Sequence, residues 1–295
     1  MASSPAQPVF RFAPSPNGRL HLGHALSALT NERFALRMGG RLLLRIEDID
    51  RERCTRALEQ ALREDLAWLG IGFEPSVRRQ SEHFCDYAAA LASLQARDLV
   101  YPCFCSRQQV RAAVTDREAS SGHAWPVDPD GVPLYPGTCR AYDRTTAQTR
   151  IAAAEPHVLR LDMARALAAA GGELSYVVFD EAGLAGTVAA QPARWGDVVL
   201  ARKDVPTSYH LAVVIDDALQ GVTHVVRGRD LEAATDIHVL LQRLLRLPTP
   251  RYHFHELLTD ETGRKLAKSR QSESLADLRA RGVRAEAIRR RLGFA

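Results

Sequence analysis

Two histidines near the N-terminus are the first candidates for chemistry. His21 and His24 lie in FAPSPNGRLHLGH, between the apolar VFRF and the segment ALSALTNERFALRMGG, which has helical periodicity. Because they are three positions apart, they share one face of the first helical turn, where backbone amides attract anions. Two imidazoles there would suit a phosphate chain whose negative charge increases during a reaction. An isolated H-x-G-H is equally consistent with helix capping or packing, so a second motif must decide between the two interpretations.

The second candidate group is a pair of lysines near the C-terminus. The chain has 39 basic residues, of which only three are lysines, and two of these, Lys265 and Lys268, lie together in GRKLAKS. A lysine on a flexible stem can bring a point charge to a mobile phosphate. The alternative is a pair of solvated surface lysines, which the scarcity of lysine elsewhere disfavours.

The elements around the histidines form a predicted βαβ unit. VFRFA and RLLLRI have the composition of short buried strands, and between them a helix is predicted from Leu22 to about Met38. Ligands of open α/β sheets bind beyond the carboxyl ends of the strands, which is where the histidine stretch and IEDID lie. Pro14 would stiffen the bend, and Gly23 would let a ligand approach the backbone closely.

HLGH and KLAKS together resemble the two signatures of class I aminoacyl-tRNA synthetases, usually written HIGH and KMSKS, in order and separation. The resemblance implies that His21, His24 and Lys268 stabilise the pentavalent transition state formed when an amino-acid carboxylate attacks the α-phosphate of ATP. This stabilisation is electrostatic, and Lys265 is expected to assist. Mg²⁺ should accompany ATP because it neutralises phosphate charge. The ATP-binding residues implied by the resemblance are Pro14, His21, Gly23, His24 and Lys268.

The motifs RFAPSPNG and RIEDID narrow the resemblance to the glutamyl and glutaminyl branch of that family. Farther along, SYHLAVVIDD (208–217) and VTHVVRGRDL (222–231) are both predicted to be strands. The resemblance places three residues around the side-chain carboxylate of the substrate, namely Arg11, Tyr209 and Arg227. It places three others near the α-amino and backbone end of the substrate, namely Ala13, Ser15 and Glu47.

The two arginines favour glutamate over glutamine as the substrate. Arginine binds a carboxylate through paired charge-assisted hydrogen bonds. The alternative for each arginine is a structural ion pair. Arg11 in particular lies within a short apolar strand, and a charged residue there needs an anionic partner.

Three cysteines form a candidate metal site. Cys103 and Cys105 in YPCFCSR and Cys139 in LYPGTCR offer three thiolates, one fewer than the usual tetrahedral zinc set. From the chemistry alone, the fourth ligand could be His123, water or a tyrosine, and a metal-free thiol pocket is the alternative. Small glutamyl-synthetase homologues carry C-x-C followed by Y-x-x-x-C, and this resemblance implies one structural Zn²⁺ per chain with Tyr135 as the fourth ligand. The intervening residues 115–134 are predicted to be an exposed loop.

The predicted fold class is α/β, a Rossmann-type class I synthetase catalytic core with a zinc-bearing insertion and a small C-terminal helical segment. The predicted boundaries are 1–100 for the first half of the catalytic domain, 101–195 for the insertion, 196–245 for the second half, and 246–295 for the KLAKS loop with short helices. Only 26 residues follow KLAKS, so no anticodon-binding domain is expected. The composition, 46% hydrophobic and 25% charged, is typical of a soluble protein, and a cytoplasmic monomer without a membrane segment is predicted.

These features together resemble the small synthetase-like enzymes that activate glutamate with ATP and attach it to queuosine in the anticodon of tRNA(Asp). The resemblance implies glutamate, ATP and queuosine-containing tRNA(Asp) as partners, although no residue is identified as a queuosine contact. The net charge of +4 permits an RNA partner without requiring one. The alternatives are a shortened glutamyl-tRNA synthetase that charges the 3′ end of tRNA(Glu), a non-catalytic RNA-binding paralogue, and a nucleotidyltransferase with a small-molecule acceptor.

Overall fold

The computed structural model describes residues 7–183, 185–258 and 273–294. The strands are β1 Val9–Phe12, β2 Arg41–Ile46, β3 Arg78–Arg79, β4 Val100–Cys103, β5 Val158–Leu161, β6 Ser175–Phe179, β7 Ala185–Ala189, β8 Val199–Ala201, β9 His224–Gly228 and β10 Arg251–His255. The helices are α1 Leu22–Arg37, α2 Arg56–Trp68, α3 Phe84–Gln95, α4 Arg107–Ser121, α5 Arg144–Ala152, α6 Met163–Ala170, α7 Tyr209–Leu219, α8 Thr235–Leu245, α9 Leu275–Ala280 and α10 Ala285–Arg291.

Parallel strands form the centre of the fold. β1, β2 and β3 make one sheet in that order, and β9, β10 and β6 make a second, with β7 added antiparallel at its edge. The amide of Thr223 donates to the carbonyl of Val9 at 3.0 Å, which joins the β9 end of one sheet to β1 of the other. The carboxyl ends of β1, β2 and β9 therefore lie at one edge, as the predicted βαβ unit requires.

The first helix follows the prediction closely. α1 begins at Leu22 and ends at Arg37, and Gly39, two residues after its end, has φ of +58°. Glycine adopts this left-handed conformation without a steric penalty. The helix packs its small residues Ala25 and Ala28, both fully buried, against the sheet. The predicted strands on either side of it, VFRF and RLLLRI, are confirmed.

The prediction for SYHLAVVIDD was wrong, because this segment is helix α7 and not a strand. The β-branched run Val213, Val214 and Ile215 has strand propensity, but residues 211–217 are buried around the whole circumference of the helix. A helix that is apolar on all sides lies inside the core, and burial of this kind overrides local propensity. The strand predicted within VTHVVRGRDL is confirmed as β9.

Residues 115–134 are only partly the exposed loop that the sequence predicts. Residues 115–121 form the end of α4, which stops at Gly122, where φ is +70°. The residues that follow are mainly exposed or half-buried. The turn-forming residues of this segment therefore end helix α4 at Gly122, and the loop begins only after it.

The segment from 101 to 195 contributes to two sheets. β4, β5 and β8 form a small antiparallel sheet beside the cysteines, whereas β6 and β7 extend the central sheet through β10. The boundaries proposed for the insertion stay a prediction. The short helices expected near the C-terminus are present as α9 and α10. Within the described ranges, no helix has the length and apolar character needed to cross a bilayer.

Candidate active site and metal centre

One cavity of about 830 Å³ lies at the carboxyl ends of the parallel strands. The turn after β1, the start of α1, the residues after β2, the start of α7 and the end of β9 all contribute to its wall. The cavity brings together every described residue that the sequence assigned to ATP or glutamate: Arg11, Ala13, Pro14, Ser15, His21, Gly23, His24, Glu47, Tyr209 and Arg227. Residues up to 216 positions apart in the chain therefore share one space.

The two histidines form a hydrogen-bonded pair at the first turn of α1. His21 is the N-cap, and its Nδ1 accepts from the amide of Gly23 at 3.1 Å, while Nδ1 of His24 accepts from the amide of His21 at 3.2 Å. The ring centroids are 3.9 Å apart. Because each Nδ1 is an acceptor, each neutral ring carries its proton on Nε2. The capping alternative and the catalytic interpretation are thus compatible, since capping uses one nitrogen of each ring and leaves the other as a donor.

Gly23 leaves space for this cap in a way that the sequence did not indicate. A Cβ at position 23 would lie 3.0 Å from Cε1 and 3.1 Å from Nδ1 of His21. Such contacts would displace the capping ring. The glycine therefore makes room for the histidine, in addition to lining the cavity.

Lys265 and Lys268 lie outside the described residues, but the described chain before them lines the cavity and the described chain after them contacts the histidine turn. Leu257 and Leu258, which precede the two lysines in the chain, line the cavity. In the described chain that follows the lysines, Ser274 forms a β-bridge with His21, and the amide of Leu275 donates to the carbonyl of Leu20 at 2.8 Å. The start of α9 is therefore fixed directly beside the histidine pair.

Arg11 has the buried anionic partner that its position in β1 predicts. Its Nε lies 3.1 Å from Oδ1 of Asp217, and the same oxygen accepts from Nη1 of Arg45 at 2.7 Å. Nη2 of Arg45 contacts Glu47 at 3.2 Å. Arg11, Arg45, Asp217 and Glu47 thus belong to one buried network, in which the cation of Arg11 is paired with Asp217.

The network changes the acidity of its carboxyl groups. Burial acts to raise the pKa of Asp217, but the charges of Arg11 and Arg45 outweigh it, and the pKa lies below its usual range. Burial raises the pKa of Glu47 despite Arg45 and Arg11. Glu47 is held from behind, because its amide donates to the carbonyl of Pro14 at 3.1 Å and its carbonyl accepts from Ser15 Oγ at 2.7 Å.

Arg227, in contrast, has no ion-paired carboxylate anywhere in the described parts of the chain. It is only 4% exposed, and its polar contacts are to uncharged groups, including the hydroxyl of Tyr209 at 3.5 Å. Its guanidinium also lies over the ring of Tyr252, 5.4 Å from the centroid. A buried cation without an anion is costly, so the cavity is suited to a ligand carboxylate at this position.

Sequence reasoning missed the residues behind Arg227. His238 Nδ1 lies 3.2 Å from Arg227 Nη1, Thr235 Oγ1 lies 2.5 Å from Nη2, and His210 Nδ1 lies 3.3 Å from His238 Nε2. Burial and then the charge of Arg227 lower the pKa of His210 to about 4. The same causes lower the pKa of His238 well below its ordinary value. Both imidazoles are therefore neutral, and no sequence motif indicated them.

The three predicted cysteines converge at the end of β4. Their sulfurs lie within 4.8 Å of one another, and those of Cys105 and Cys139 are 3.4 Å apart. Tetrahedral zinc with Zn–S bonds of about 2.3 Å requires sulfur separations of roughly 3.8 Å, so the group fits a metal after small adjustments. The hydroxyl of Tyr135 lies 3.7 Å from Cys105 Sγ, whereas His123 is exposed and contacts the carbonyl of Ser121. Burial and the neighbouring Cys139 thiol raise the pKa of Cys105 to about 11.

The fold and the cavity are those of a class I tRNA synthetase catalytic domain. The family model for tRNA synthetases class I (E and Q), catalytic domain, matches residues 9–294, and the chain belongs to this family. The α/β class I synthetase catalytic domain, the ligase class and the glutamate branch expected from the motifs are thereby confirmed.

Among individual proteins, the chain is similar to a Glutamyl-Q tRNA(Asp) synthetase of Rhodobacter capsulatus, with 46% identity over 293 residues that cover 97% of this chain and 100% of the relative. It is 36% identical to a Glutamate--tRNA ligase 2 of Nitrosococcus oceani over 291 residues, 94% of this chain and 57% of that protein. The crystal structure of a glutamate-tRNA synthetase from Elizabethkingia anophelis matches with a TM-score of 0.71 and 26% identity, over 89% of this chain. The present chain spans about half of that solved chain, 53%.

Proposed function

We propose that this protein activates glutamate with ATP and transfers it to queuosine in the anticodon of tRNA(Asp). In the first step a carboxylate oxygen of glutamate attacks the α-phosphate of ATP, which forms glutamyl-adenylate and releases pyrophosphate. In the second step a hydroxyl of the queuosine cyclopentenediol attacks the adenylate carbonyl, and AMP leaves with the bonding electrons. The observation that carries the proposal is that all the predicted ATP and glutamate residues within the described parts of the chain line one cavity.

Glutamate binds with its side-chain carboxylate beside Arg227 and Tyr209. The absence of a carboxylate partner for Arg227 among the described residues supports this orientation. Arg11 lies in the same cavity, but its pairing with Asp217 makes it the secondary cation. Ala13, Ser15 and Glu47 then lie toward the α-amino group, where the Glu47 carboxylate can accept from an ammonium.

ATP binds over the first turn of α1, between Pro14, Gly23 and the histidine pair. The Nε2–H groups of His21 and His24 donate to phosphate oxygens as negative charge develops on them, which lowers the barrier electrostatically. Lys268, assisted by Lys265, supplies positive charge to the same phosphates. Leu258 lines the cavity and Ser274 forms a β-bridge with His21, and these two positions support this role for the segment between them. Mg²⁺ bound with ATP would neutralise phosphate charge.

The acceptor rests on comparison with relatives and not on a contact in this chain. The Rhodobacter capsulatus relative named Glutamyl-Q tRNA(Asp) synthetase is 46% identical over its whole length. Its name favours queuosine-containing tRNA(Asp) over the 3′ end of tRNA(Glu) as the acceptor. The rival acceptor is the 3′ end of tRNA(Glu), because the chain is also 36% identical to the Glutamate--tRNA ligase 2 of Nitrosococcus oceani. We further propose that the enzyme is a monomer and that the reaction takes place in the cytoplasm.

A structural zinc ion completes the proposal. Cys103, Cys105 and Cys139 would hold the ion together with the hydroxyl oxygen of Tyr135. Tyr135 lies 4 positions before Cys139, and its oxygen accepts from the amide of Cys139 at 2.8 Å and lies 3.7 Å from Cys105 Sγ. The ion would supply folding energy to the region around β4. No step of the reaction needs an open coordination position, so the metal is structural.

The test uses labelled glutamate, ATP and three purified tRNAs: queuosine-containing tRNA(Asp), the same tRNA without queuosine, and tRNA(Glu). Label on the first tRNA alone is expected, and nuclease digestion should locate it in the anticodon loop. The His24→Ala variant should lose the label, because it removes a proposed phosphate contact. Glu74→Gln, which alters only an exposed pair with Arg41, is the matched control and should label as the wild type does.

Each rival has a distinct result. Label on the terminal adenosine of tRNA(Glu) would replace the acceptor and make the protein a shortened glutamyl-tRNA synthetase. Absence of both label and glutamate-dependent ATP–pyrophosphate exchange would mean a non-catalytic paralogue. Exchange without label on any of the three tRNAs would point to a nucleotidyltransferase with a different acceptor.

A further inference from the structure

We propose that His238 is a positioning residue that holds the guanidinium of Arg227 through an uncharged acceptor, and so leaves its full positive charge for the substrate carboxylate. The inference deepens the proposed function and rests on it, because that function assigns Arg227 to the glutamate side chain. The consequence is selectivity for an anionic side chain over the isosteric amide of glutamine.

The polar contacts of Arg227 are all to neutral groups within the described chain. Nη1 lies 3.2 Å from His238 Nδ1 and 3.5 Å from the Tyr209 hydroxyl, and Nη2 lies 2.5 Å from Thr235 Oγ1. Thr235 and His238 are both on α8, at its first turn and one turn later, and are 0% and 2% exposed. Because helix residues three apart lie on one face, α8 presents two acceptors to one guanidinium.

The direction of the hydrogen bonds follows from the chemistry of arginine. A guanidinium has only donors, so His238 Nδ1 must be the acceptor and the ring proton must lie on Nε2. That proton points to His210 Nδ1 at 3.3 Å. His210 is then an acceptor at Nδ1 and carries its own proton on Nε2. The chain from Arg227 through His238 to His210 has a single arrangement of protons, with both rings neutral.

The contrast with Arg11 explains why the acceptor should be neutral. Arg11 is oriented by a carboxylate, Asp217, at 3.1 Å, which also cancels its charge. Arg227 is oriented equally well, but by an imidazole and a hydroxyl. A carboxylate at position 238 would hold the guanidinium and neutralise it, and the cavity would then have little preference for glutamate over glutamine. The uncharged acceptor therefore separates orientation from charge compensation.

A pair of isosteric variants tests this separation. His238→Asn places an amide oxygen near the position of Nδ1, whereas His238→Asp places a charged oxygen there. We expect His238→Asp to raise the KM for glutamate in ATP–pyrophosphate exchange at least tenfold, with a smaller change in kcat and a reduced preference over glutamine. His238→Asn should raise it less than threefold. The same substitutions at the exposed His123 are the control, and they should alter neither the KM for glutamate nor kcat.

Glutamate binding by calorimetry gives a readout that does not depend on catalysis. If the wild type neither binds nor activates glutamate, the proposed function fails and this inference falls with it. If the wild type binds glutamate and the His238→Asp variant binds it as tightly as the His238→Asn variant, the inference is wrong and the proposed function is unaffected.

A second site keeps the test decisive if the variants at 238 do not fold, as judged by thermal unfolding. Thr235→Val removes the other acceptor without changing the shape of the side chain, and Thr235→Ser restores it. We expect the valine variant to raise the glutamate KM and the serine variant to recover most of the loss. Equal KM values for these two variants would overturn the positioning role of α8.

Discussion

The guanidinium of Arg11 lies 3.1 Å from the carboxylate of Asp217, which is 206 positions later in the chain. The same carboxylate oxygen accepts from Arg45 at 2.7 Å. One side chain of α7 thereby fixes two arginines, one from each of the first two parallel strands. The wall of the glutamate cavity is held together by this contact, because Arg45 also contacts Glu47.

Replacing Asp217 by asparagine should reduce both stability and glutamate binding. Removal of one partner from a buried ion pair leaves uncompensated charge, which costs roughly 3–5 kcal/mol. We expect the Asp217→Asn variant to lose about 3 kcal/mol of unfolding free energy in urea, with a raised KM for glutamate because Arg11 and Glu47 are no longer fixed.

The exposed ion pair between Arg41 and Glu74 provides the control for this change. It has comparable geometry, 2.6 Å, but its side chains are 44% and 31% exposed, and exposed pairs contribute about 0–1 kcal/mol. Glu74→Gln should therefore change little. Equal effects of the two substitutions would contradict the structural importance of Asp217.

Capping and catalysis by His21 can be separated by substitution. Asparagine is a favourable N-cap, so His21→Asn should keep the start of α1 and the melting temperature close to the wild type. It lacks the Nε2 donor, and loss of one such donor lowers kcat by roughly 10²–10³. ATP–pyrophosphate exchange measures the rate. His21→Ala should lower kcat by the same factor and, in addition, should lose about 1 kcal/mol of stability because the cap is removed. An exchange rate equal to that of the wild type in the asparagine variant would contradict a catalytic role for His21.

The cysteine cluster should bind zinc in a manner that depends on all three thiols. Metal analysis of the purified wild type is expected to find one zinc per chain, and Cys105→Ser should reduce it to a small fraction and lower the melting temperature. Cys85→Ser is the matched control, because Cys85 is exposed and outside the cluster. Tyr135→Phe should weaken zinc binding without abolishing it. A wild type without metal, or unchanged zinc in Cys105→Ser, would refute the site.

Asp65 should make stability depend on pH in a predictable direction. It is 1% exposed on α2, accepts no hydrogen bond from any described residue, and lies 3.5 Å from Arg279 of α9. Burial raises the pKa of its carboxyl to about 6 against the opposing charge of Arg279. The unfolded chain has an ordinary pKa of about 3.9. The folded state therefore binds this proton more tightly, and its contribution to stability is lost as the pH rises from about 4 to 6.

Asp65→Asn removes this titration. We expect the variant to become more stable relative to the wild type as the pH increases through that window, by about 3 kcal/mol in total, because the pKa differs by about two units between the two states and each unit corresponds to about 1.4 kcal/mol. Thermal or urea unfolding at several pH values gives the difference. Glu64→Gln, at the neighbouring and half-exposed carboxylate, should show no such trend; a constant difference between Asp65→Asn and the wild type would contradict the assignment.

Several elements could be predicted from the sequence because their causes are local. The apolar runs of β1 and β2, the period of α1 and the glycines after it are all contained within about 40 residues, and each was confirmed. The convergence of the cysteines was also predicted, because their spacing limits how a metal could be bound. Within α7 the local signal was misleading, since a run of β-branched residues has the same composition in a buried helix as in a strand.

The sequence by itself determined which residues were candidates: the histidine pair, the cysteines and the arginines on β1 and β9. The tertiary structure decided how those residues differ. It balances the charge of Arg11 with Asp217 and leaves Arg227 held by Thr235 and His238, and neither arrangement has a sequence signature. The physical reason is that helix periods and caps depend on neighbouring residues, whereas ion pairing, burial and tautomers depend on which distant elements the fold brings together.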